Sequence, residues 1–146
     1  MIRRRVLAVK TTAACVFSLV LCVSAAAQHP GTRVSVEEAK KLVLAALPSS
    51  AKQLPKFGLE GGRDPDSAGF YVFMAYWAGA PNGSVVIGHY AVDASTADVW
   101  NAVMACEELS TPALRKLQAR VRSRIGLSDA EYRKRKRRCP LEMEGN

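Results

Sequence analysis

At 146 residues the chain has room for one hydrophobic core, and 49% hydrophobic against 23% charged residues is the balance of a globular protein. Its net charge is +8, and its two histidines and four cysteines show no clustered metal-ligand spacing such as C-x-x-C. No nucleophile elbow, phosphate loop or dinucleotide fingerprint interrupts it, so no cofactor is implied.

Residues 1–27 read as a secretory signal. Arg3, Arg4, Arg5 and Lys10 make a basic start, Thr11 to Val23 is apolar, and Ser24, Ala25, Ala26 and Ala27 close it with small residues. Cleavage is expected after Ala27, which places the protein in the periplasm or outside the cell. The apolar run is shorter than the roughly 20 residues a membrane span needs. Neither Cys15, soon after Lys10, nor Cys22, preceded by Leu21, suits lipidation. Loss of the signal would remove four of the 21 basic residues and none of the 13 acidic ones, leaving 17 against 13, or +4.

Residues 28–34 are expected to be a flexible leader, and 35–146 a single α+β domain. Ser35 and Glu38 form a capping box, and Val36, Ala39, Leu42, Val43, Ala46 and Leu47 recur at helical spacing until Pro48. A connection over 48–56 leads to a short strand at 57–60, followed by a polar loop at 61–69. Asp64, Asp66 and Ser67 in that loop could offer oxygens to calcium, but the closing glutamate of a calcium loop is missing and an Asx turn fits as well. Strands follow over 70–77, 84–92 and 99–103, joined by a turn at Gly79–Gly83 and a tight turn at 93–98. The expected architecture is one helix on a four-stranded antiparallel meander, with two C-terminal helices after it. These open at Thr111-Pro112 and at the Ser128/Glu131 capping pattern, the second running to Arg138.

The strand at 70–77 carries Phe70, Val72, Met74 and Tyr76 on one side and Tyr71, Phe73, Ala75 and Trp77 on the other. A sheet with one wetted face alternates apolar and polar residues, and this one does not. Either the C-terminal helices or a partner protein must therefore cover the second face. Tyr76 and Trp77 near the hairpin tip, with Asn82 and His89 as polar neighbours, are the candidate partner anchors.

Charge is segregated: residues 110–139 hold eleven basic and two acidic side chains. Within them Arg133, Lys134, Arg135, Lys136, Arg137 and Arg138 form a continuous cationic run. It suits an anionic envelope polymer or lipid surface, or simply a solvated helix end; export argues against nucleic acid. Cys106 and Cys139 remain after signal removal and read as a disulfide, with a metal or redox pair as the alternative. His89, Asp93 and these cysteines are the only grouping that could be assembled into a nucleophilic site, and no serine or base spacing supports one, so the chain is read as a non-enzyme.

The helix beginning Val34-Ser-Val-Glu-Glu-Ala and the segment Tyr90-Ala-Val-Asp-Ala-Ser-Thr-Ala-Asp-Val-Trp100 resemble PepSY-like domains and small exported bacterial inhibitor or immunity proteins. Those families turn between strands at a D-x-x-T-G pattern, in which Ala97 here stands at the glycine. The resemblance covers about half of the mature chain and implies a non-enzymatic module outside the membrane, in several such families an inhibitor of a hydrolase or protease.

Overall fold

The computed structural model describes residues 31–62, 65, 69–80, 83–102 and 106–137. The first helix, α1 (Val36–Ala46), starts at the capping box as the sequence predicts. The Ser35 hydroxyl accepts from the Glu38 backbone N–H, and the Glu38 carboxylate accepts from that of Ser35 at 2.9 Å. Its buried face is Ala39, Leu42, Val43 and Ala46, and it stops at Leu47, which Pro48 holds in extended backbone. A single turn, α2 (Ser49–Lys52), occupies part of the expected connection.

The sheet runs β1 (Gly58–Gly61), β2 (Phe70–Ala80), β3 (Gly83–Asp93), β4 (Val99–Asn101) and β5 (Glu107–Glu108), in that spatial order and antiparallel throughout. The meander is as expected, with a fifth two-residue strand added at the edge. Ala75 pairs with Gly88 but Tyr76 with Val86, so Ile87 is an extra residue that bulges β3 near the hairpin tip.

Two further helices follow: α3 (Pro112–Arg124), capped by the Thr111 hydroxyl, and α4 (Asp129–Arg135), capped by that of Ser128. α4 ends short of Arg138. Helix α3 lies beside α1: the Thr111 hydroxyl also donates to the Ala45 carbonyl at 3.0 Å, and Leu114 and Val121 join the α1 core. At the other end Arg124 donates to the Glu38 carboxylate and to the Gly31 and Arg33 carbonyls, fastening the residues before α1 to α3. Residues 31–34 of the expected leader are thus tied down. Val34 is 1% exposed, and its N–H reaches the Ala94 carbonyl at 2.8 Å.

The main core lies between α1, α3 and the inner sheet face of Tyr71, Phe73, Ala75, Tyr90, Val92 and Val99. The outer face is divided. At one end Phe70, Ala91 and Trp100 form a small second core with Ala102 and Cys106, the two rings meeting edge to face at 5.6 Å. Toward the hairpin tip nothing among the described residues covers it: Val72 is 45% and Val86 50% exposed. Neither C-terminal helix is the cover, since α3 joins the inner face and α4 sits at the sheet's end.

Candidate functional site

Two regions hold chemistry that folding alone does not require. The first surrounds the β3–β4 turn. Asp93 and Asp98 flank it, both essentially solvent-free. Asp93 accepts from the Ser95 N–H at 2.6 Å, the Ser95 hydroxyl at 2.7 Å and Arg137 Nε at 2.8 Å. Asp98 accepts from Thr96 Oγ1 at 2.9 Å, Tyr132 Oη at 3.0 Å and Arg122 Nη2 at 2.6 Å. The Arg122 guanidinium stacks on the Tyr132 ring at 4.0 Å and Arg137 on Phe70 at 4.2 Å. The C-terminal cations therefore clamp an acidic turn to the sheet end. Ala97 lies within it at φ +63°, the left-handed region a glycine would take more easily, so its small side chain keeps the turn shape at a cost of about 1–2 kcal/mol.

The two aspartates respond oppositely to burial. Desolvation pushes the Asp93 carboxyl up, but the hydrogen bonds and charge supplied by Arg137 and Ser95 outweigh it and hold it below its ordinary value. Glu38 is lowered in the same way, with Ser35 and Arg124 overcoming burial. For Asp98 burial wins over Arg122, Thr96 and Tyr132, and its carboxyl is raised. Stabilisation from Asp93 and Glu38 is complete above the ordinary carboxylate pKa and is lost as pH falls through their lowered folded values. Asp98 gives the opposite slope, its contribution falling as pH rises through its raised value. Asp93 and Glu38 are expected to make the urea midpoint fall as pH drops below about 5, and Asp93→Asn to flatten that decline. An unchanged slope in Asp93→Asn would remove Asp93 from the account.

Beside this clamp lies a cavity of about 450 Å³ lined by Arg33, Gly69, Ala94, Ser95, Lys134, Arg135 and Arg137. The cationic run does not stand out as a comb. Lys134 and Arg135 lean toward Glu131, Lys136 pairs with Glu108 at 3.0 Å, and Arg137 turns inward to Asp93. Arg133 is exposed, and Arg138 lies outside the described residues.

The second region is the open outer face. Glu60, Met74, Tyr76 and Val86 line a shallow depression of about 120 Å³, with Val72 beside it and His89 opposite Met74. Gly58 lies across from Tyr76, where a Cβ would overlap the Tyr76 ring, so glycine lets the ring lie over β1. The Tyr76 hydroxyl is raised above its ordinary pKa by its hydrogen bond to Glu60. Of the candidate anchors, Tyr76 and His89 share this face. Trp77, next along β2, points to the other side of the sheet, its ring edge near Gly79. Asn82 lies outside the described residues, as do Asp64, Asp66 and Ser67. His89 and Asp93 are four residues apart on one strand, about 13 Å by strand rise, and Asp93 is committed to Arg137, so they make no catalytic pair. Cys106 packs against the Phe70–Trp100 cluster, while Cys139 lies outside the described residues.

Sequence reasoning missed Arg122, Tyr132 and Arg33. They act through contacts with residues far along the chain, and the excess of cations after Ser110 hinted at Arg122 alone.

No family model and no curated protein matches the chain. Among solved structures it is similar to a chain of a type VI secretion system effector–immunity complex from Pseudomonas protegens, at 27% identity and a TM-score of 0.57. The match covers 70% of this chain and 86% of that one.

Proposed function

We propose that this chain is an immunity-type binding protein that neutralises a toxic effector by occupying it. The observation that carries the reading is the likeness to a chain of an effector–immunity complex, at 27% identity over 70% of this chain. The open apolar face at Val72, Met74, Tyr76 and Val86 supplies a docking surface in keeping with it. The buried polar groups support binding over catalysis, since Asp93, Asp98, Arg122 and Tyr132 satisfy one another. Within the same proposal residues 1–27 direct export, the partner is a hydrolase acting in the cell envelope, and Cys106 pairs with Cys139. The PepSY-like pattern then accounts for the β3–β4 turn. The alternative, a binder of anionic envelope polymer or lipid through Arg133–Arg138, is weakened by the internal pairing of that run.

The test is to mix protein purified from cells expressing the full chain with each type VI effector of its own organism, and to co-express them. One effector forming a stable stoichiometric complex, with growth restored in poisoned cells, is the expected result. If no effector binds, or if this chain by itself arrests growth when exported, the immunity reading is overturned.

A further inference from the structure

We propose that the cavity bounded by Arg33, Ser95, Lys134, Arg135 and Arg137 receives an acidic segment of the protein partner, an inference that rests on the immunity reading and gives its partner a charge.

The cations come from separate stretches of chain and converge on one concavity. Arg33 is placed from below by α3, because Arg124 holds its carbonyl at 2.8 Å, and Val34 is bonded to Ala94 on the cavity wall at 2.8 Å. Arg137 is fixed by Asp93 at 2.8 Å and by stacking on Phe70 at 4.2 Å. Lys134 and Arg135 extend from α4. The Arg137 side chain, held this way, loses little freedom when a ligand enters.

Its charge is not balanced by the described residues around it. Four cations, Arg33, Lys134, Arg135 and Arg137, face two carboxylates, Asp93 and Glu131. Asp93 is fully buried, and its charge is taken up by Arg137 and Ser95. Glu131 is shared between Lys134 at 3.9 Å and Arg135 at 3.3 Å, both on the surface, where such pairs contribute at most about 1 kcal/mol. Among the described residues a surplus of two positive charges remains, which suits a ligand carrying two or more carboxylates.

Placement argues for a protein segment over a polymer or membrane. A membrane or long polyanion needs cations spread over a flat or extended surface, and this run is instead folded into a recess, with Lys136 turned to Glu108. Gly69 in the cavity wall directly precedes Phe70. From Phe70 the outer face of β2 continues through Val72 and Met74 to Tyr76, six residues or roughly 20 Å. A partner lying along β2 would meet cations at one end and the open apolar face at the other.

The experiment measures binding of a fluorescent hexaglutamate peptide to protein purified from cells expressing the full chain. It is run beside inorganic polyphosphate, vesicles containing anionic lipid, and the effector found above. The variant Arg33→Ala/Lys134→Ala/Arg135→Ala changes only surface side chains and should keep its circular dichroism and urea midpoint. The expected result is a hexaglutamate affinity at least about tenfold lower in this variant, a loss that shrinks with added salt, and no change in Lys40→Ala/Lys116→Ala. Equal binding by the triple variant overturns the proposal, as does binding of polyphosphate or vesicles without binding of hexaglutamate. If the effector binds wild type while hexaglutamate does not, the cavity proposal falls and the immunity reading stands. If hexaglutamate binds through these three cations and no effector does, the immunity reading falls and the site for an acidic segment stands.

Discussion

Replacing Asp98 with alanine is expected to destabilise the protein by about 3 kcal/mol, the lower end of what removal of one member of a buried ion pair costs. Asp98 is 1% exposed and receives three donors, from Thr96, Arg122 and Tyr132. Truncation leaves the Thr96 hydroxyl without its acceptor in a solvent-free site and Arg122 without its anion. The cost stays near the lower end because the Arg122 side chain is 22% exposed and can recover some hydration. Against a usual total of about 5–15 kcal/mol this is a large share. With an m-value of about 1–3 kcal/mol per molar urea, the midpoint should drop by about 1–3 M. Arg135→Ala, at an exposed pair, should cost at most about 1 kcal/mol and serves as the comparison. A midpoint for Asp98→Ala no lower than that of Arg135→Ala would show that the clamp does not hold the turn. The large truncation cost does not make the pair itself a strong stabiliser. Burial raises the Asp98 carboxyl despite Arg122, so desolvation outweighs the attraction, and what truncation exposes is the partners left behind.

The second large effect concerns binding. Tyr76→Ala combined with Val86→Asp is expected to weaken the effector complex by at least about 30-fold, since a central aromatic anchor is commonly worth 2 kcal/mol or more. A charge placed on the apolar face adds a desolvation penalty. Val86 is 50% exposed, so the aspartate itself should shift stability by no more than about 0.5 kcal/mol. Trp77→Ala is the informative contrast, because Trp77 lies on the opposite side of the sheet from Tyr76 and Val86. A partner seated on the outer face should tolerate its loss much better. Titration calorimetry on the three proteins decides the matter: a greater loss with Trp77→Ala would move the interface to the hairpin's other side.

The acidic segment proposed for the cavity and the apolar anchor at Tyr76 would make one footprint along β2. The two ends should behave differently. Changes to Arg33, Lys134 and Arg135 should act mainly on association rate and salt dependence, and changes to Tyr76 and Val86 mainly on dissociation.

Much of the fold was legible in short stretches of sequence. Ser35 and Glu38 announced α1, Thr111 with Pro112 announced α3, and Ser128 announced α4, because capping is a bargain between residues three apart. The hairpin strands declared themselves through runs of β-branched and aromatic residues. β5 did not, since Glu107 and Glu108 are two exposed acids with no apolar period, and their strand exists only because β4 offers an edge. One-turn α2 was equally silent. The non-alternating faces of β2 correctly pointed to a second face that is not wetted throughout, but they could not divide it into a covered end at Phe70 and an open end at Val72 and Tyr76.

The sequence by itself therefore determined the longer elements, their order, the cationic excess after Ser110 and the two apolar faces of β2. Each of these is written in the spacing or composition of neighbouring residues. Tertiary structure alone decided that Arg122 and Arg137 turn inward to Asp98 and Asp93, from 24 and 44 residues away. It also decided that Arg33 joins Lys134 and Arg135 around one cavity, and that Tyr76 and Trp77 part to opposite faces of the sheet. A charge in sequence carries no record of its partner. Which cations are neutralised and which stay open is settled only when the packed chain brings distant carboxylates within reach and removes the water between them.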